Sequence, residues 1–265
     1  MAITSLDQLI AAASQRVQIV KTNVITSVAV MPTQVINAGG NPGSGTLAGS
    51  NTANGTVPTD ANGGFPPINA FGGGNTGYIT NMTFGATVSC RLHLFDCLFK
   101  AGAYAFNAAT TLTSQPSYSS RVPGGTDFTG TDIWIEAVTA FTGNQSIAIT
   151  YTNQDGTTGR TTGTIATGVA PIANRMLLLP LQTGDTGVQK IESVTSTVST
   201  VGTFNVLVLR RLWAGRVLLA NSGDTHDFMK TGMPQVFADS ALMAVVQPDS
   251  TSTGGFELMF EIVNG

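Results

Sequence analysis

The sequence predicts a mainly β protein: an antiparallel β-sandwich of jelly-roll type, with a short N-terminal helix and a long glycine-rich loop. Three observations lead there. Short segments with strand periodicity follow one another at near-regular intervals from Asp132 to Arg211 with no helical pattern between them, the signature of an all-β domain. The turns between them are spelled out as Thr142-Gly143-Asn144, Asn153-Gln154-Asp155-Gly156 and Thr183-Gly184-Asp185-Thr186-Gly187. Thr203–Arg211 is apolar on both faces, with Phe204, Val206 and Val208 on one and Leu207 and Leu209 on the other, so it belongs inside a sheet covered on both sides. With its neighbour it makes Gly187–Arg211 a pair of consecutive buried strands.

The 265 residues read as one domain, divided into an N-terminal helix and strands (1–38), a glycine-rich arm or loop (39–77) and the main sandwich (78–265). Ser5 is placed as an N-cap with Gln8 completing a capping box, which predicts a helix to about Ser14 whose Leu6, Leu9, Ile10 and Ala13 share a face. The period changes to two at Arg16, giving a strand through Val17 and Ile19 and a second over Val24–Val30. Gly39–Gly77 holds twelve glycines and one charged residue, Asp60, a composition that predicts no packed core of its own. Phe65-Pro66-Pro67-Ile68 and Phe71 are anchors that could pin it to something apolar, and the segment reads as an extended arm or loop that orders on a neighbouring subunit, with a solvent-exposed loop as the alternative. It lacks the Gly-Lys-Ser/Thr ending of a phosphate loop.

Tyr78–Ser89 alternates as a strand kinked at Gly85. Cys90–Phe106 is denser in large apolar groups and is expected as a helix carrying Leu94, Phe95, Leu98 and Phe99 and ended by Gly102. Strands are then expected at Asp132–Ala140, Gln145–Thr152, Arg160–Ala166, Arg175–Gln182, Val188–Thr197 and Thr203–Arg211, with two closing strands around Ala241–Val246 and Gly255–Val263.

Composition narrows the function. Charged residues are 10% of the chain, where an average soluble domain has roughly 25%. Such a surface must be solvated by hydroxyls and amides or covered by other subunits, and the second option points to an assembly. A net charge of −3 without clustered Lys or Arg argues against nucleic-acid or membrane partners. Arg210, Arg211 and Arg216 are the nearest thing to a basic patch and read as a rim or subunit contact at a strand end. Cys90 and Cys97, seven residues apart, match neither a disulfide framework nor a zinc site. In a helix they would lie about 10 Å apart along the axis, too far to bridge; in an extended segment a bridge stays open, and two buried thiols is the preferred reading. With no basic leader and no apolar run long enough to span a bilayer, the chain is expected to stay in the cytoplasm where it is made.

Catalytic candidates thin out on inspection. His93 sits alone in an apolar run and reads as a hydrogen-bonded structural residue. His226, in Asp224-Thr225-His226-Asp227, reads as part of a polar surface loop, with a loop metal site as the alternative. No Gly-x-Ser-x-Gly elbow is present. Of the acids a glycosidase could pair, Glu136, Glu192, Glu257 and Glu261 hold the outward position of strand alternations, while Asp155 and Asp185 are turn residues. No enzyme, metal or cofactor is expected.

The stretches MAITSLDQLI (Met1–Ile10) and LQTGDTGVQKI (Leu181–Ile191) carry a resemblance, as do SIAITYTN (Ser146–Asn153), Gly159-Arg160-Thr161 and FDCLF (Phe95–Phe99). Here the chain resembles virion proteins of tailed bacteriophages. The resemblance implies a capsid decoration or cement protein on the outer surface of a virion assembled in the host cytoplasm. Its partners would be the phage major capsid protein and copies of itself, and it would act by adhesion summed over symmetric contacts. Leu6, Leu9, Ile10, Phe65, Phe71, Arg210 and Arg211 are then the candidate contacts. The alternative is a carbohydrate-binding or host-recognition module of a fibre, with Tyr78, Tyr118, Trp134 or Trp213 as stacking faces. A surface-polysaccharide hydrolase is a third reading.

Overall fold

A computed structural model describes residues 5–12, 14–71, 76–168, 172–197 and 201–265. Expectations touching Met1–Thr4, Ala13 and residues 72–75 therefore lie outside the described residues. In chain order the elements are α1 (Leu6–Ala11), β1 (Ser14–Lys21), β2 (Thr33–Gln34), β3 (Gly40–Asn41), β4 (Gly77–Ala86), β5 (Cys90–Ala105) and β6 (Ala109–Thr111). Then come β7 (Thr131–Ala137), β8 (Ser146–Asn153), β9 (Arg160–Thr161), β10 (Ile165–Ala166), β11 (Met176–Leu179) and β12 (Val188–Ser196). The remainder is β13 (Thr203–Val217), β14 (Ser222–His226), α2 (Phe228–Thr231), β15 (Gln235–Val236), β16 (Leu242–Pro248) and β17 (Phe256–Asn264).

The strands form three antiparallel sheets. Sheet I runs β14-β4-β17-β1-β3 with β15 also on β4, sheet II runs β11-β7-β13-β5-β16-β2, and sheet III runs β10-β8-β12-β6 with β9 also on β8. The predicted antiparallel, sandwich-like β fold is what the chain adopts, with one refinement: sheets I and III both pack on sheet II. Its long strands make that arrangement possible. At one end of β5 and β13, Leu94 and Trp213 face Phe84, Leu258 and Phe260 of sheet I. At the other end, Phe99, Ala101, Val206 and Val208 face Ile149, Ile191 and Val194 of sheet III. The opposite face of sheet II carries Phe95, Cys97, Leu207 and Leu209 and is covered by Ile36 and Phe65. The two-faced reading of Thr203–Arg211 is thus met, although β12 and β13 fall in different sheets.

Three expectations are corrected. Cys90–Phe106 is strand β5, not a helix. A strand paired on one side by β13 and on the other by β16 is apolar on both faces, and a continuous apolar run does not distinguish that from a buried helix. Val24–Val30 forms a single bridge, Thr26 to Ser252, with turn structure around it, rather than a strand. The glycine-rich segment is neither a projecting arm nor a free loop. Its described residues form a strap over the chain's own body. β16 accompanies β5 only to Asp96, and beyond that point the strap takes its place: Thr56 pairs with Lys100 through both backbone bonds, at 2.8 and 2.9 Å. Tyr104 Oη donates to Thr52 O at 2.7 Å, and Asn205 holds Gly49 N–H and Leu47 C=O. Glycine is needed for this closeness: a Cβ on Gly55, at φ +70°, would stand 2.1 Å from the Phe99 ring.

Between the two apolar ends of the long strands lies a charged knot. Asp96 and Arg210 are cross-strand neighbours in sheet II, and Asp96 is fully buried. Its carboxylate accepts from Ser240 Oγ at 2.7 Å, from Arg210 Nη2 at 3.5 Å and from Arg121 Nη2. Arg121, also fully buried, comes from the short turn Ser119–Arg121 and further donates to Cys97 O at 3.1 Å and to Pro58 O of the strap. Arg210 donates to Gln235 O at 2.8 Å and lies over the Phe237 ring. One carboxylate faces two guanidiniums, and backbone carbonyls take up the surplus positive charge. Asp96→Ala should lower the unfolding free energy by about 3–5 kcal/mol, measured by urea denaturation; a loss below about 1 kcal/mol, the scale of an exposed pair, would show that the knot is not structural.

Candidate subunit-contact face

Several ionisable groups, Lys21, Asp96, Arg121, Glu136, Arg175 and Arg210 among them, are buried within internal structure. Among the described residues no three of His, Cys, Asp and Glu converge as metal ligands. Glu136 is completely buried, which corrects its expected outward position. Its Oε2 accepts from Asn205 at 2.6 Å and stands 3.4 Å from Lys100 Nζ, while Oε1 is buried without a partner. Burial pushes its pKa up, against the opposing pull of Lys100 and Asn205. Asp185 does occupy its turn but also accepts from Arg160 Nε at 2.8 Å, Asn153 Nδ2 at 2.8 Å and Tyr151 Oη at 2.7 Å. The Arg160 contact leads in holding its pKa down at about 2.

The histidines and cysteines serve packing. Trp213 Nε1 donates to His226 Nδ1 at 3.0 Å, and both rings pack edge-on against Phe84. His93 stacks beside Phe95, and burial lowers its pKa. Cys90 and Cys97 are free, buried thiols, with burial pushing them up to about 11 and about 12. Tyr118, Trp134 and Trp213, considered as stacking faces, are all buried, so no platform for a sugar ring is built from them; Tyr78 is half-buried.

What the fold leaves open is the outer face of sheet I. Strand register lays its outward side chains in rows: Arg16, Glu261 and Asn81; then Gln18, Met259, Thr83 and Thr225; then Val20, Glu257, Gly85 and Gly223. At the first row, α1 and α2 border a cleft of about 320 Å³ lined by Leu9, Ile10, Phe228 and Val263. Ser5 caps α1, its Oγ accepting from Gln8 N, as the sequence indicated. No residue of α1 is buried; Leu6 and Ile10 are 60% and 74% exposed, and Met229 of α2 is 77% exposed.

The candidate contacts therefore separate. Leu6, Leu9 and Ile10 stand together on α1, with Leu9 half-buried, and Arg211 is exposed. Phe65 and Phe71 are buried against the chain's own core, so these expected anchors are internal. Arg210 is buried inside β13, which continues to Val217. Sequence reasoning met Asp96 only as part of the FDCLF stretch, gave it no structural role, and passed over Arg121. One signal was available: a carboxylate inside the apolar run Leu94-Phe95-Asp96-Cys97-Leu98 requires a buried cation.

No family model and no curated protein matches the chain. Among solved structures it aligns with the VP2 subviral particle of infectious bursal disease virus at 10% identity and a TM-score of 0.19, over 97% of this chain and 81% of that one. A structure of the Gx strain of the same virus aligns at 9% identity and a TM-score of 0.16, over 96% and 80% of the two chains. Overlap this slight carries no statement about fold or role.

Glu136 and Asp185 should pull the pH dependence of stability in opposite directions. The raised pKa of Glu136 means that its favourable contribution is complete below the ordinary glutamate value and is lost as pH rises through the folded value, so Glu136→Gln should flatten a decline of melting temperature toward neutral pH. The contribution of Asp185 is present above the ordinary aspartate value and is lost as pH falls through about 2. Asp185→Asn should accordingly lower the melting temperature at pH 7 and leave it unchanged in strong acid. Parallel pH profiles for wild type and both variants would refute these assignments.

Proposed function

We propose that the chain is a non-catalytic structural protein of a virion, a decoration or cement subunit that binds a phage capsid shell and copies of itself. The observation that carries this reading is the apolar rim around the α1–α2 cleft. A six-residue helix with no fully buried residue, yet capped and keeping Leu6 and Ile10 in solvent, has a use if another surface covers it. The rest of the molecule supports the same role. The outer face of sheet I carries Thr, Asn, Gln and Met beside the charged Arg16, Glu257 and Glu261, a surface suited to contact, and symmetric repetition would multiply weak contacts into firm attachment.

The test is reconstitution: purified protein is added to shells stripped of it, and occupancy is measured against concentration. Leu6→Asp combined with Ile10→Asp should weaken binding by roughly ten-fold or more, since burying each side chain is worth about 1.5–3 kcal/mol. Because α1 buries no residue, the variant's thermal unfolding should match wild type. Unchanged occupancy would remove α1 from the contact, and failure of the wild type to bind shells would remove the capsid role.

A further inference from the structure

Beneath the strap, three side chains with complementary reactivity meet on one face of sheet II. Lys100 of β5, Glu136 of β7 and Asn205 of β13 come from adjacent strands, in the order β7-β13-β5. Asn205 and Glu136 are register partners, and Lys100 lies opposite Leu207, the next position on the same face of β13. An amine and an amide share one carboxylate oxygen: Glu136 Oε2 stands 3.4 Å from Lys100 Nζ and accepts from Asn205 Nδ2 at 2.6 Å. The strap sets the orientation of the amide, offering Gly49 N–H to Oδ1 at 2.9 Å and Leu47 C=O to Nδ2 at 2.7 Å. Glu136 and Asn205 are fully buried, and the Lys100 side chain is 11% exposed. An ion pair alone does not require this arrangement, in which Glu136 Oε1 is left without a partner while an amide is brought to the oxygen that the ammonium uses.

The geometry points to a covalent crosslink that the chain forms on itself, an isopeptide bond between Lys100 Nζ and Asn205 Cγ made with release of ammonia, Glu136 carrying the proton. Glu136 takes a proton from the Lys100 ammonium, and the freed amine attacks Asn205 Cγ. The Cγ–Nζ bond forms as the carbonyl electron pair moves onto Oδ1, where the Gly49 N–H meets the developing charge. Glu136 then hands its proton to Nδ2 and takes one from Nζ. The Cγ–Nδ2 bond breaks with its electron pair on the departing ammonia, and the carbonyl re-forms. The products are a neutral amide, ammonia and protonated Glu136, the form that burial favours. No oxidant, metal or second substrate is consumed. Three paired strands hold the reactants on a common base, and the strap shields the new amide from water. The reaction happens once per chain, without turnover, and does not depend on what the chain binds.

The intact mass of the purified full chain tests this directly. Wild type should weigh one ammonia less than its sequence, whereas Lys100→Arg, Asn205→Ala and Glu136→Gln should each carry the full mass of their own sequence. Trypsin does not cleave after a lysine acylated on Nζ, so a wild-type digest should contain a branched peptide joining 92–121 to 191–210, and Glu136→Gln should give the separate linear peptides. The wild type decides the matter whether or not a variant folds: its appearance at full sequence mass would overturn the proposal. So would an ammonia loss that maps to Asn54-Gly55 or Asn62-Gly63, where a succinimide gives the same mass change, or a branched peptide that persists in Glu136→Gln.

Discussion

Asp96 places a carboxylate between the part of sheet II that packs on sheet I and the part that packs on sheet III. Along β5 it stands between Leu94, which packs toward sheet I, and Leu98, which packs toward sheet III, and across from it Arg210 stands likewise between Val208 and Leu212. A charge in that position is tolerable only if fully paired, and the pairing recruits the turn at Arg121, the strap at Pro58, and the segment from Gln235 to Ser240. The knot thus fixes the relative placement of segments far apart in sequence, which apolar contacts alone, being non-directional, would leave less defined.

The strap answers a second demand of the same long strands. Beyond Asp96 the edge of β5 has no partner from β16, and an open apolar edge invites pairing with other chains. Thr56 covers it, and glycines let the backbone lie against Phe99 and Gly102, where any side chain would collide. In a chain proposed to work by adhesion, the strap closes that edge, while Leu6, Ile10, Phe228 and Met229 stand exposed together at the α1–α2 rim.

Local signals in the sequence translated well. The capping of α1 by Ser5, the split of β13 into two apolar faces and the turn at Asp185 all depend on residues within a few positions of one another. What did not translate depends on partners distant in the chain. β5 looked helical because its apolar density comes from being covered on both faces. Glu136 looked outward-facing because alternation does not reveal that the strap lies over it, and Arg210 looked terminal because its carboxylate lies more than a hundred residues away. The helix face was legible in part: Leu6, Leu9 and Ile10 were expected to share a face that docks on a sheet or on a neighbouring subunit, and the chain's own fold leaves Leu6 and Ile10 in solvent.

The central claim is that β5 and β13, tied at Asp96, make sheets I, II and III open as one body. Native-state hydrogen exchange at increasing urea measures this most directly. The account predicts that the slowest amides of β4 and β17, of β5 and β13, and of β8 and β12 converge on a single opening free energy. A separate, lower plateau for β8 and β12, or for β4 and β17, would contradict it, because a sheet that opens alone is not held by the knot.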